Sequence, residues 1–338
     1  MLNTPLSSAT PITAAFDEFD EALKLDPGER SRAERVHNEI TELLTGEGLI
    51  TGAFLQGSFR RKTMIAPLRD IDKVVILHES VRGSSPTQVM DRLEAALQRR
   101  YPYATFDRTK HSLKLDLGPD SFDFDVVPAW ETPTGDDDVL IANTEPESGE
   151  DLWKRSNTRT LIRVVSERNQ TTNGRFVRQI RMAKQVVKEH LDGLIPGLHV
   201  ESWAYLAITG PMPHDEALAA ILTTAADLIG GRYYEPTGVE AISERLDPQD
   251  VALARPFLHD LARRAAEALR LAAAGDPKEA QRVWAAICGD LFPAPAAQSA
   301  GDALNAAFAG GSVTSAGSVS TTPAGAQRSR PTRSWRAG

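Results

Sequence analysis

Residues 57–72, GSFRRKTMIAPLRDID, and the later run FDFDVVPA at 122–129 decide how this chain folds. Asp70 and Asp72 open DIDKVVIL, whose second half is continuously apolar, as in a strand covered on both faces. Side chains two apart on a strand leave the same face, so the two carboxylates repel unless a cation lies between them. An oxygen-seeking divalent ion such as Mg²⁺ is the simplest such cation. In 122–129, Phe122, Phe124 and Val126 alternate with Asp123 and Asp125, and Pro128 is expected to stop the ladder. Either Asp125 or Asp123 can therefore supply a third acid to a site for two metals. Upstream, TGAFLQGS (51–58) reads as an apolar strand running through Gln56 into a Gly57-Ser58 turn. There a bare backbone and a hydroxyl can approach a phosphate. A phosphate turn, Asp-x-Asp and a distant strand acid are the parts needed to transfer a nucleotidyl group from a nucleoside triphosphate.

Outward from this centre, residues 12–25 and 28–46 read as helices. In the second, Val36, Ile40, Leu43 and Leu44 recur at helical spacing. Residues 86–100 form a third helix on the stripe Val89, Leu93, Ala96 and Leu97, and 111–118 a strand with Lys114 and Asp116 on its polar face. The rest is read as helical: 149–168, 174–191, 201–208, 215–230, 248–274 and 277–291, separated by Gly/Pro breaks. The expected fold is α+β and two-lobed: residues 1–145 hold N-terminal helices and a mixed sheet, and 146–292 a helical lobe. Residues 293–338, rich in Ala, Gly, Ser, Thr and Pro, read as a disordered tail ending at Gly338.

The 338 residues carry a net charge of −8, so the molecule as a whole is not built to coat a nucleic-acid backbone. No apolar run approaches the roughly 18 residues of a membrane helix, and the N-terminus lacks the basic start and apolar stretch of a secretory signal. One cysteine, Cys288, leaves no internal disulfide, and the cytoplasm is the expected compartment. The seven histidines show no metal-ligand spacing.

The segment 54–129 resembles the DNA polymerase beta-like nucleotidyltransferase superfamily. Within it, the similarity is to the bacterial relatives of cyclic GMP-AMP synthase and oligoadenylate synthase, the CD-NTases of CBASS anti-phage systems. The helical half through Leu291 extends the resemblance; the tail does not share it. The resemblance implies a fold with a nucleotidyltransferase core and an enzyme that joins nucleoside triphosphates into a cyclic di- or trinucleotide. Mg²⁺ or Mn²⁺ would serve as cofactor, two ions per site. It selects Asp125, which directly precedes Val126-Val127-Pro128, over Asp123 as third ligand beside Asp70 and Asp72. It also implies that Lys184, in Arg181-Met182-Ala183-Lys184, reaches the triphosphate, with Lys188 as a substitute. Ser202, in HVESWAYLA, is implied as a hydroxyl donor. Gln56, Gly57 and Ser58 complete the expected nucleotide-binding set, and Arg60-Arg61-Lys62 is a departure that either neutralises phosphates or forms a solvated loop.

Some CBASS operons resemble ubiquitin-like systems, in which a C-terminal glycine is conjugated. Gly338 is therefore a candidate for a ubiquitin-like conjugating enzyme, and a downstream effector would receive the product. A template-independent RNA or tRNA nucleotidyltransferase, a small-molecule nucleotidyltransferase and a non-catalytic scaffold are the alternatives.

Overall fold

The computed structural model describes residues 11–118, 121–191 and 193–295, with the backbone of Ser312–Val313 and Val319–Ser320. The expected disordered tail from 296 onward and Gly338 lie outside the described residues, save for those two short segments, which pair antiparallel in a unit of their own. Met1–Pro293 forms the other compact unit.

Its centre is a seven-stranded mixed sheet in the order β1(Ile50–Leu55)–β2(Asp70–Leu77)–β5(Asp123–Glu131)–β4(Leu113–Asp116)–β3(Thr105–Arg108). The short strand β6(Val139–Ala142) joins β5 and carries β7(Trp153–Ser156). The β2–β5 pair is parallel; the other pairs are antiparallel. On the back face, Ile71, Val75, Phe124 and Val126 pack with Ile40 and Leu44 of α2(Pro27–Gly46) and Leu93 and Leu97 of α4(Pro86–Arg100). Those helices start where their caps dictate. Asp26 accepts from the first-turn amides of α2, and Ser85 and Gln88 close a capping box on α4. On the front face, Val74, Ile76, Val127 and Ala129 form a smaller apolar cluster with Phe54.

The helical lobe comprises α5(Thr158–Thr171), α6(Arg175–Leu191), α7(Gly197–Ala207), α8(His214–Leu228), α9(Pro248–Ala273) and α10(Pro277–Cys288). The first helix, α1(Pro11–Leu23), joins this lobe's core rather than the sheet's: Phe16 and Phe19 are buried among residues of α6, α8 and α10. Buried Asp20 reinforces the placement by pairing with Arg178 and Arg181 of α6.

Three local expectations are corrected. Pro128 does not end its strand; β5 runs to Glu131 with Pro128 opposite Val75. Pairing with β4 ends at Val126 and pairing with β6 begins at Ala129, so Pro128 falls in the gap and its missing N–H disturbs no ladder on that side. Residues 153–156 form β7 instead of the start of a helix, since Trp153 pairs with β6 and packs edge-to-face on Trp130 at 5.9 Å. Arg60 and Arg61 do not lie in a loop: they end a short helix, α3(Gly57–Arg61).

Candidate active site

The site is laid out by the β2–β5 register. Asp72 stands directly opposite Asp125, and Asp70 opposite Asp123, so all four carboxylates rise from the front face. Further along the same strands that face turns apolar at Val74, Ile76, Val127 and Ala129. There Arg159 of α5 stacks over Phe54 at 4.4 Å and forms a bidentate pair with Glu131. One end of the face is thus closed by the helical lobe, while the acidic end stays accessible: the Asp70 side chain is 57% exposed.

Gly57 ties the turn to the acids. Its φ is +64°, and a Cβ there would lie 1.7 Å from Asp72 Oδ2, so only glycine allows this backbone against that carboxylate. The Gln56 amide donates to the Asp72 carbonyl at 2.9 Å, and Gln56 Oε1 accepts from the Thr158 hydroxyl at 2.6 Å. Ser58 is half-buried in the first turn of α3, where backbone amides have no partner within the helix.

Electrostatically the two central acids, Asp72 and Asp125, are under-compensated. Burial, then the Asp125 charge, pushes the Asp72 carboxyl up to about 6 despite the opposing Arg61. Burial also raises Asp125, against the pull of Lys114, and the buried Ser112 hydroxyl donates to Asp125 Oδ1 at 3.3 Å. Hard carboxylate oxygens that repel one another in a half-buried cleft are the donor set a divalent cation suits. Among the described residues no three acids are gathered closely enough to grip one ion as they stand. The Asp70 carboxylate leans instead toward Lys114 at 3.5 Å. Asp72 and Asp125, facing each other in register with their carboxyls raised by burial, have the donor chemistry a divalent cation suits, while Asp70 is engaged by Lys114.

The remaining expected residues divide. Lys184 does not extend freely into the cleft. Its ammonium contacts Glu201 at 2.7 Å and Thr63 Oγ1 at 3.2 Å, while Arg61 forms a bidentate pair with the same Glu201. Glu201 is fully buried, and although burial favours its neutral form, Arg61 and Lys184 hold it ionised. Ser202 is also buried, and its hydroxyl donates to the Leu198 carbonyl within α7 at 2.9 Å. Position 197 is what faces Lys184 at the start of α7: a Cβ on Gly197 would stand 3.1 Å from its Cε. Lys188 is exposed on the rim of a 240 Å³ hollow that Lys184 also lines. Arg61, taken from sequence as part of a basic stretch, has a side chain only 7% exposed. Lys114, Ser112, Thr63 and Glu201 were not singled out by sequence. Strand alternation already put Lys114 on the polar face of β4, but nothing local marks Glu201. A larger hollow of about 810 Å³ beside Trp130 and Trp153 contains none of the candidate residues.

The chain and its fold resemble known proteins. Residues 11–169 match the Second Messenger Oligonucleotide or Dinucleotide Synthetase domain (SMODS). A probable cyclic AMP-AMP-GMP nucleotide synthase of Salmonella paratyphi B is 24% identical over 319 residues, covering 74% of this chain and 82% of its own. The structure of CdnC from E. coli MS115-1 with ATP superposes with a TM-score of 0.64 at 16% identity, over 83% of this chain and 98% of that one. The CD-NTase CdnG of Bradyrhizobium diazoefficiens in complex with GTP does so at 0.65 and 18%, over 81% and 95%. With the domain match, the shared two-lobed fold and the Gly-Ser turn set against strand carboxylates, the chain is a nucleotidyltransferase whose residues 11–169 match a Second Messenger Oligonucleotide or Dinucleotide Synthetase domain and whose fold is that of the solved CD-NTases.

Proposed function

We propose that this enzyme joins nucleoside triphosphates into a cyclic di- or trinucleotide, releasing pyrophosphate at each step, as a second messenger of anti-phage defence. The observation that carries the site assignment is the in-register pair Asp72 and Asp125 packed against the positive-φ Gly57 turn. Asp70, Asp72 and Asp125 would hold Mg²⁺ or Mn²⁺, two ions per site, which when bound neutralise the triphosphate and acidify the attacking ribose hydroxyl. Asp125 also helps to polarise that hydroxyl. Gln56, Gly57 and Ser58 seat the phosphates through backbone amides and a hydroxyl. Lys184 contributes from behind the turn, as a charge that Glu201 holds within the field of Asp72.

For the lobes we propose 1–145 as the catalytic half and 146–292 as the helical half, with α1 and β7 crossing that line. Among the described residues no helix is long and apolar enough to cross a membrane. A cytoplasmic site of action, a downstream effector that binds the product, and conjugation through Gly338 complete the proposal.

Mass spectrometry of products from the four NTPs with Mg²⁺ or Mn²⁺ tests it. Phosphatase-resistant cyclic products are expected without added RNA. Products that appear only when RNA is supplied would replace this reading with a template-independent RNA nucleotidyltransferase. Asp70→Ala combined with Asp72→Ala should abolish turnover while leaving a cooperative thermal transition.

A further inference from the structure

Lys114 lies on β4 opposite Asp125, so its side chain rises from the front face among the four carboxylates. Its ammonium stands 2.8 Å from Asp123 and 3.5 Å from Asp70. It is held nearest the one acid of the four that has no assigned role. The group sits at the rim of the cleft, with Lys114 35% and Asp123 23% exposed, beside the deeper Asp72. A lysine here is a point charge on a flexible stem, able to compensate several carboxylates without gripping any of them; an arginine fork would pin two together.

Resting on the assignment of Asp70, Asp72 and Asp125 as metal ligands, we propose that Asp123 and Lys114 are a positioning pair. Asp123 parks the ammonium beside the ligand set, where it compensates the carboxylates of the empty site. Lys114 thereby competes with the divalent ion for Asp70 and sets how tightly the nucleotide-free enzyme binds metal. Three of the four front-face acids are then ligands, and the fourth keeps the built-in cation out of their centre.

Mn²⁺ titration of the nucleotide-free, full-length protein, followed by electron paramagnetic resonance, tests this without reference to turnover. Lys114→Gln should tighten the Mn²⁺ dissociation constant by about three- to tenfold, the effect of removing one adjacent positive charge at a partly exposed site. The gain should shrink as ionic strength rises. Asp123→Asn should weaken binding, and weaken it more alone than in combination with Lys114→Gln, because the released ammonium then moves onto Asp70. Lys114→Arg should bind Mn²⁺ less tightly than the natural protein. Circular dichroism melts show whether each variant folds, and the arginine variant carries the test if the glutamine one does not. Unchanged or weaker Mn²⁺ binding by a folded Lys114→Gln protein, or strictly additive effects of the two changes, would overturn the proposal while leaving the ligand assignment standing. If Mn²⁺ binding to the natural protein is insensitive to Asp72→Ala, the ligand assignment fails and the proposal with it.

Discussion

At Gly57 the backbone runs at φ +64° with Asp72 Oδ2 where a side chain would begin, so Gly57→Ala must displace either the turn or the carboxylate. A shift of about 1 Å at reacting groups costs on the order of 100-fold in rate, and turnover of NTPs by Gly57→Ala should fall by at least that much. Asp72 itself makes a pH prediction. Its folded-state pKa of about 6 lies above the ordinary 3.8. The group therefore favours the fold below about pH 4, and that contribution is lost as pH rises through 6. Without metal, Asp72→Asn should melt several degrees above the natural protein at pH 7.5, a gain of about 1–3 kcal/mol that disappears near pH 4. Added Mg²⁺ should narrow the difference by stabilising only the aspartate form; differential scanning fluorimetry across pH measures both effects. The acids and the glycine were legible in sequence because spacing of two on a strand fixes their face. The fates of Lys184 and Ser202 were not, since each depends on a partner set by tertiary packing or helix phase: Glu201 for one, the Leu198 carbonyl for the other.

Among the elements, α3 is the piece that couples the sheet to the helical lobe. Just before it Gln56 bonds to Thr158 of α5; at its end Arg61 meets Glu201 of α7; beyond it the Lys62 carbonyl accepts from Arg181 of α6 at 3.1 Å. The Gly57-Ser58 turn is therefore tied to the helices as well as to the strands. Glu201→Gln leaves two buried cations without a full counter-charge, which should cost about 3–5 kcal/mol. It should also lower the unfolding midpoint by roughly 10 °C, since a domain of this size shifts about 2–4 °C per kcal/mol. Any enzyme that remains folded should show a raised KM for NTPs, because the turn loses its anchor. Sequence served long amphipathic elements such as α4 and α6 well, where several turns repeat one stripe. The four-residue strands β3, β6 and β7 give too few alternations to register. β7 is a strand because β6 offers it an edge, not because WKRS prefers one.

For the whole molecule, the compact unit to Pro293 contains every candidate ligand and nucleotide contact, and Gly338, the candidate for conjugation, lies beyond it. A chain ended at Pro295 should keep its thermal midpoint and its NTP turnover, assayed side by side with the full chain, and should lose only what Gly338 provides. Finally, Phe16 of α1 packs against Trp284 at 5.2 Å and Phe292 at 5.0 Å, and Phe19 against Phe292 at 5.4 Å. Phe16 and Phe19 lie on the first described helix, Trp284 on α10, and Phe292 just beyond the end of α10. A nascent chain leaving the ribosome therefore cannot complete the packing around Phe16 and Phe19 until residues 284–292 have emerged, so the helical lobe seals only after synthesis has passed them, and shorter translation products leave that side of the rings open to chaperones and proteases.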